Sequence, residues 1–546
     1  MTGRIFLLFI SCMLAGACKK NSEPPAPEFY SFIGATVDGK GGEFDFRHID
    51  PDPEIQLTFS SAIDISTVNT AVSLRQDGGA MVPLNAELSN NDKTLSLKPA
   101  SSLKGFTRYI LTVSGNLLAR GGSRLEAPLS IAITTSYDNR DKFPRLTDDE
   151  LLTQVQRQTL RYFRDLAHPA SGMARERNSS GDLVTTGGTG FGIMALIVGI
   201  ERQFISHSEG LEQVERIVDF LSTKADRFKG AFPHWLNGNT GAVIPFSDVD
   251  NGADLVETAL LMQGLITARQ YFDGASPAET TLREHINELY AAVDWNFFRQ
   301  NDEQVLYWHW SPDRGFALNL KIQGWNETLI TYILAAASPT HPIPRSVYEQ
   351  GYARNGSMRN GNQYYGITLP LGPQLGGPLF FAHYSFLGLD PRNLSDAYAN
   401  YWTQNTAHSR INYEYAKADP GNFGYTDSLW GLTASDNNGG YSAHSPTNDL
   451  GVITPSAALS SFPYTPDESM AALHTFYYKL GDKLWGQYGF RDAFNLSQGW
   501  FAESWLAIDQ GPIIIMIENY RTGLLWNLFM EAPEVKKGLD NLGFSY

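Results

Sequence analysis

Thr147-Asp148-Asp149-Glu150-Leu151-Leu152, followed by Val155, Thr159, Tyr162, Phe163 and Leu166, is the stretch at which the chain changes its period. Thr147 with Glu150 three residues on forms a capping box, and the apolar positions that follow recur every three to four residues, which predicts an amphipathic helix. Upstream the period is two. Ile55, Leu57 and Phe59 alternate with polar residues, as do Leu95 and Leu97, then Tyr109, Leu111 and Val113, then Leu129, Ile131 and Ile133. Turn signals at Asp77-Gly78-Gly79, Asn90-Asn91-Asp92 and Gly121-Gly122 separate these runs, so a small antiparallel β-sandwich is expected over 29–137. Downstream, helical segments are read near 189–206, 209–227, 252–272, 279–299, 325–337, 394–416, 466–482 and 511–532. Long connections rich in Gly, Pro and aromatics, such as Ala231 to Asp250 and Asn355 to Pro378, lie between them. Helices in series with polar residues gathered in the connections predict a toroid of helical hairpins over 138–546, for which the (α/α)6 barrel is the commonest solution.

The 546 residues suit two or three domains. A formal net charge of -16 excludes nucleic acid and anionic membrane surfaces as partners, since both need clustered Lys and Arg. The 11 Trp, 25 Tyr and 31 Phe are core residues by default, and Trp and Tyr also suit stacking on sugar rings. Arg4 precedes the apolar run Ile5 to Leu14, too short to span a bilayer. Leu14-Ala15-Gly16-Ala17-Cys18 then resembles a bacterial lipoprotein cleavage site, with Ala15 where Leu is commoner. The expectation is a signal peptide over 1–18, lipidation at Cys18 and a proline-containing tether over 19–28; an ordinary cleaved signal peptide is the alternative. Cys12 and Cys18 are the two cysteines of the sequence, so no disulfide framework is expected. The chain then reads as a monomeric cell-envelope lipoprotein of the periplasm or the outer-membrane surface, touching the membrane only through its lipid anchor.

Ser247-Asp248-Val249-Asp250-Asn251-Gly252-Ala253-Asp254-Leu255-Val256-Glu257 is the densest acidic cluster. Asp250, Asp254 and Glu257 stand at i, i+4 and i+7, so a helix through them would stack three carboxylates on one face. Such a face calls for water, a polyhydroxylated ligand or a cation, or is a solvated helix start. A calcium loop fits poorly because Gly252 and Ala253 stand where a ligand and a glycine are needed, and no zinc pattern occurs, so neither metal nor cofactor is expected. Gly187-Gly188-Thr189-Gly190-Phe191-Gly192 lacks the Lys-Ser/Thr ending and the preceding strand of a phosphate loop; it reads as a tight turn into a helix starting near Phe191.

Trp325-Asn326-Glu327-Thr328 leads into an apolar helix, which puts Glu327 in a first turn beside an aromatic ring. Partial burial there would raise its pKa toward that of a proton donor; otherwise it is a helix-start glutamate. Tyr307-Trp308-His309-Trp310 alternates two rings to each side, and Pro233-His234-Trp235 repeats the mixture. Ala507-Ile508-Asp509-Gln510-Gly511-Pro512 precedes another apolar helix, with Pro512 in its first turn and Asp509 near an N-cap. Glu518 and Arg521 suit an ion pair at i+3.

Thr189-Gly190-Phe191-Gly192, Asp250 to Thr258, Gly324-Trp325-Asn326-Glu327, Gly440-Tyr441 and Ile508 to Pro512 together resemble the bacterial glucoamylase-like proteins of glycoside hydrolase family 144. Leu57 to Asp64 with Leu111-Thr112-Val113 resembles bacterial immunoglobulin-like modules, without a catalytic constellation. The family resemblance implies an (α/α)6 barrel and an inverting hydrolase of β-1,2-glucan that releases sophorose or longer sophoro-oligosaccharides. It maps the family's acidic set onto Asp250, Asp254, Glu257, Glu327 and Asp509. Inverting hydrolysis needs a protonated carboxyl and a water-activating carboxylate about 6.5–9.5 Å apart. Glu327 is then the expected acid and Asp509 the base, with Asp250, Asp254 and Glu257 holding sugar hydroxyls. His234, Trp235, Trp308 and Trp325 are the expected stacking and hydroxyl contacts. A hydrolase of another glucan and a non-catalytic glycan-binding lipoprotein are the competing functions.

Overall fold

The structure is a computed structural model and describes residues 28–42 and 44–546. The expected signal peptide, Cys18 and all but the last residue of the tether lie outside the described residues. Two compact units divide between Thr135 and Ser136.

The first unit is a sandwich of two five-stranded sheets. One sheet runs in the order 45–49, 129–135, 108–113, 72–76, 81–82; the other runs 40–41, 32–37, 55–59, 94–99, 84–89. The period of two decides what faces inward: Ile55, Leu57, Phe59, Leu95, Leu97, Leu111, Val113, Ile131 and Ile133 are all buried in one core. Not every pair is antiparallel as the sequence predicted. Asp45–Ile49 runs parallel to Leu129–Thr135, as Phe29–Tyr30 does to Arg124–Leu125. Strands far apart in sequence meet at those edges, and no hairpin fixes their direction.

The second unit is helix-rich. Its helices of eight or more residues are α1 (Asp148–Asp165), α2 (Thr186–Glu201), α3 (His207–Thr223), α4 (Leu255–Tyr271), α5 (Pro277–Ala291), α6 (Leu329–Ala337), α7 (Tyr401–Ala418), α8 (Pro466–His474), α9 (Ala507–Arg521), α10 (Leu524–Glu531) and α11 (Pro533–Leu542). The capping box of α1 forms as read: Glu150 N–H donates to Thr147 Oγ1 at 3.3 Å and Thr147 N–H to Glu150 Oε2 at 2.9 Å. Among the described residues no helix is long and apolar enough to cross a membrane.

Helices α2 and α4 are buried on nearly every side, so neither shows the one-sided apolar pattern of a surface helix. Their backbones touch. A Cβ on Gly190 would stand 2.3 Å from the Leu260 carbonyl oxygen, and one on Gly264 would stand 2.2 Å from that of Gly190. This corrects the expected turn at 187–192: α2 already begins at Thr186, and its glycines serve close helix packing. The predicted segment 511–532 splits into α9 and α10 at Gly523, whose φ of 73° breaks the helix. Glu518 pairs with Arg202 at 2.7 Å rather than with Arg521, which reaches Asp149 at 2.6 Å on α1. Tertiary neighbours outcompete the i+3 pair because both side chains point at other helices.

Candidate active site

The acidic cluster does not lie on one helix face. Asp250 closes a tight turn, its N–H donating to the Ser247 carbonyl at 3.2 Å, and Asp254 is the N-cap of α4. Asp254 Oδ1 accepts the N–H groups of Val256 and Glu257 at 3.0 and 2.9 Å, so of the three acids only Glu257 is helical. Ala253–Asp254 pairs antiparallel with His309–Trp310 in the register Asp254 to His309, which brings a histidine to the cap. The Asp254 N–H donates to the Phe232 carbonyl and the Thr186 N–H to that of His234, which fixes the second histidine beside it.

The two imidazoles supply the countercharge. His234 Nδ1 lies 3.2 Å from Asp254 Oδ2, and His309 Nε2 lies 3.4 Å from both Asp254 Oδ2 and Asp250 Oδ2. His234 Nε2 stands 4.0 Å from Glu257 Oε1, whose partner oxygen Oε2 accepts the Gly187 N–H at 2.6 Å. Burial pushes the His234 ring down, yet Glu257, Asp254 and Asp250 outweigh it and lift its pKa to about 9. Burial likewise raises Asp254, but hydrogen bonds from the two rings hold it below the usual carboxylate range. Glu257 and Asp250 are raised, burial being the largest cause in each. Among the described residues His234, Asp250 and Asp254 each offer a ligand atom within 4.8 Å of one another; His234 and Asp254 engage each other, and Asp250 faces His309.

Glu327 lies in the turn before α6, one residue ahead of the cap Thr328, and not in the first helical turn as expected. Asn326 Oδ1 accepts from the Thr328 N–H and hydroxyl at 3.1 and 2.6 Å, and Ser385 Oγ donates to the Glu327 carbonyl while accepting the Ile330 N–H at 3.0 Å. The backbone at Glu327 is thereby clamped from both sides. The side chain is partly open to solvent yet enclosed by protein. That burial, reinforced by the negative Glu257 and Asp254, raises its pKa to about 7.

Asp509 sits in the first turn of α9, which begins at Ala507, so it is an interior residue of that turn and not a cap. It is 2% exposed, with Oδ1 accepting the Ser456 hydroxyl at 2.5 Å. Burial raises its pKa to about 7, opposed by hydrogen bonds from Asp492 and Ser456. The earlier start puts Pro512 inside α9. Proline has no N–H for the Ile508 carbonyl four residues back, and that carbonyl instead accepts the Tyr384 hydroxyl at 3.2 Å. Tyr384 is thus drawn into the site, where its hydroxyl feels Asp509, Tyr441, Glu327 and Glu257 together.

Beyond Tyr441 opens a cavity of about 630 Å³, lined among others by Arg177, Asp436, Asn437, Trp500 and Glu503. Arg177 bridges Glu176 at 2.8 Å and Asp436 at 3.1 Å. Trp308 is partly exposed and stacks on His309 with ring centres 5.7 Å apart, and partly exposed Trp235 packs on the exposed Phe246 at 4.7 Å. Trp325 departs from expectation. It is 4% exposed and packs against Phe386 and Tyr401, so it is a core residue without a face for a sugar. His309, Tyr384, Asp492 and Arg177 escaped the sequence reading. The alternation in Tyr307 to Trp310 carried the signal for His309; the others sit in segments whose pairing is visible only once folded.

The Glycoamylase family model matches residues 319–533, and the bacterial Ig-like domain model matches 46–135. An endo-β-1,2-glucanase from Chitinophaga pinensis, solved with sophorotriose and glucose, is 50% identical; the match covers 74% of this chain and 99% of that one, with a TM-score of 0.72. A β-1,2-glucanase from Parabacteroides distasonis is 37% identical over 95% of this chain and 73% of that one, with a TM-score of 0.71. The exo β-1,2-glucooligosaccharide sophorohydrolase (non-reducing end) of Parabacteroides distasonis is 46% identical over 420 residues, 73% of this chain. That match spans 58% of the relative's own length. With a relative 50% identical and covered almost end to end, the chain belongs to the glucoamylase-like proteins of glycoside hydrolase family 144 and carries a bacterial immunoglobulin-like domain.

Proposed function

We propose that the protein hydrolyses β-1,2-glucan or sophoro-oligosaccharides with inversion at the anomeric carbon, in the trough of an (α/α)6 barrel. The carrying observation is that Glu327 and Asp509, from different elements, are both raised to about 7 and both lie near enough to Tyr384 for their charges to raise its hydroxyl. Glu327, whose raised pKa keeps a substantial protonated fraction at neutral pH, gives its proton to the glycosidic oxygen as the bond to the anomeric carbon breaks. Asp509 takes a proton from the attacking water through a relayed water, because its carboxyl is buried. The new hydroxyl forms on the opposite face of the ring; Asp509 then releases its proton to solvent and Glu327 regains one.

The Asp250–Asp254–Glu257 wall, with His234 and His309, binds sugar hydroxyls and holds Glu327 protonated through its negative charge. Trp235 and Trp308 offer stacking faces, and the cavity at Tyr441 accepts further glucosyl units. The names of the relatives above support the linkage. Reducing-sugar release from a panel of linear glucans tests the reading: β-1,2-glucan alone is hydrolysed, and both Glu327→Gln and Asp509→Asn abolish release. Hydrolysis of another glucan in its place, or binding without release, would overturn it. The reading extends to a monomeric cell-envelope lipoprotein acylated at Cys18, supported by Arg4, the apolar run to Leu14 and the small residues before Cys18. Loss of fatty-acid labelling on Cys18→Ser checks that part.

A further inference from the structure

Asp492 is a buried acid that the mechanism leaves unused. Asp492 lies between the short strands Gly489–Phe490 and Phe494–Asn495 and is 1% exposed. Its Oδ2 accepts the Asp436 N–H at 2.7 Å. Its Oδ1 and Asp509 Oδ2 are both buried and receive no hydrogen bond from any donor among the described residues, and the two carboxyls lie within interaction reach of each other. A bond between two carboxyl oxygens needs a proton, since each ionised group only accepts.

Among the described residues no uncommitted cation faces the pair to take that proton's place. Asp436 and Tyr441 face the pair from the hairpin 434–443, Glu176 and Arg177 from the loop ahead of Leu183–Thr185, and Tyr162 from α1. Arg177 is committed to Glu176 and Asp436. Arg491, the chain neighbour, lies over the Trp505 ring and donates to the Ala502 carbonyl. Two adjacent buried carboxylates without a cation share one proton.

We infer that Asp492 is the proton-bearing member of this pair, a positioning residue that donates from Oδ1 to Asp509 Oδ2 and keeps Asp509 a carboxylate. Asp509 then receives two donors, the Ser456 hydroxyl and the Asp492 hydroxyl, whereas Asp492 receives the one backbone N–H. Burial and the neighbouring Asp509 and Asp436 push Asp492 well above the carboxylate range, further than Asp509 is pushed. The assignment rests on the reading of Asp509 as the base, for a base must be ionised when water attacks.

Asp492→Asn preserves the arrangement, its Nδ2–H donating to Asp509 and its Oδ1 accepting the Asp436 N–H; Asp492→Leu removes the donor. The Asn variant is expected to keep kcat at least about tenfold above the Leu variant, with KM unchanged in both. In Asp492→Leu the acidic limb of the kcat profile moves up by about one pH unit, because Asp509 has lost a stabilising donor. An infrared carbonyl band of a buried carboxylic acid, recorded above the ionisation of Glu327 and Asp509, is expected in the wild type and absent from Asp492→Asn. An Asn variant as impaired as Leu, or a band that persists in it, overturns the inference. If the band behaves as expected while Asp509→Asn turns over normally, the proton stays assigned to Asp492 and the base reading is what fails.

Discussion

Glu327 carries two opposite consequences of one burial. With a pKa near neutrality it keeps a proton to donate, so Glu327→Gln is expected to lower kcat by about a thousandfold. Its folded pKa, about 7, lies above the ordinary 4.5. Its contribution to stability is therefore fully present below pH 4.5 and is lost as the pH rises through 7. Gln removes that penalty, and denaturant unfolding is expected to find the variant unchanged at low pH but more stable above neutrality, by on the order of 2 kcal/mol once partial exposure is allowed for. Asp509 must be ionised and Glu327 protonated, and both titrate near 7, so kcat/KM is expected to be a narrow bell centred near neutrality. His234 has the reverse linkage. Raised from 6.5 to about 9, it stabilises fully below 6.5 and loses that contribution as the pH climbs through 9. His234→Ala leaves Asp254 and Glu257 short of a cation and is expected to cost about 3 kcal/mol at pH 6, a deficit that shrinks toward pH 10.

At the level of elements, the site depends on where helices begin. The run Ala507 to Pro512 correctly announced a helix, but proline's preference for a first turn set the expected start too late. Two residues of α9, Ala507 and Ile508, precede the expected cap Asp509, and the interior Pro512 leaves the Ile508 carbonyl for Tyr384. Tyr384→Phe is expected to cost about 1 kcal/mol by orphaning that carbonyl. Adding Pro512→Ala restores an N–H to it and is expected to recover the loss, which a double-mutant cycle by urea unfolding would measure. The glycine run of α2 teaches the complementary lesson. Loop and close-packed helix both favour glycine, and only the approach of α4 to Gly190 distinguishes them.

For the molecule as a whole, the two units have separate cores, and the first supplies none of the residues assigned to the chemistry. Residues 136–546 expressed alone are expected to fold and to keep the wild-type kcat on soluble substrate, as a circular-dichroism melt and a rate assay would register. The switch from a period of two to one of 3.6 near Thr147 was legible because each face of a strand or helix is a local pattern of apolar positions. Asp250, Asp254, Glu257, Glu327 and Asp509 could be named as candidates because the motifs around them are contiguous. The sequence by itself thus determined the sandwich and the helix-rich unit and named five candidate acids, though not Asp492. Only the tertiary structure decided their charge states and company. His309 reaches Asp254 through strand register, Asp492 meets Asp509 from 17 positions earlier in the chain, and Trp325 turns into the core. A pKa or a hydrogen-bond partner is set by what surrounds a group in space, and spacing along the chain does not encode that.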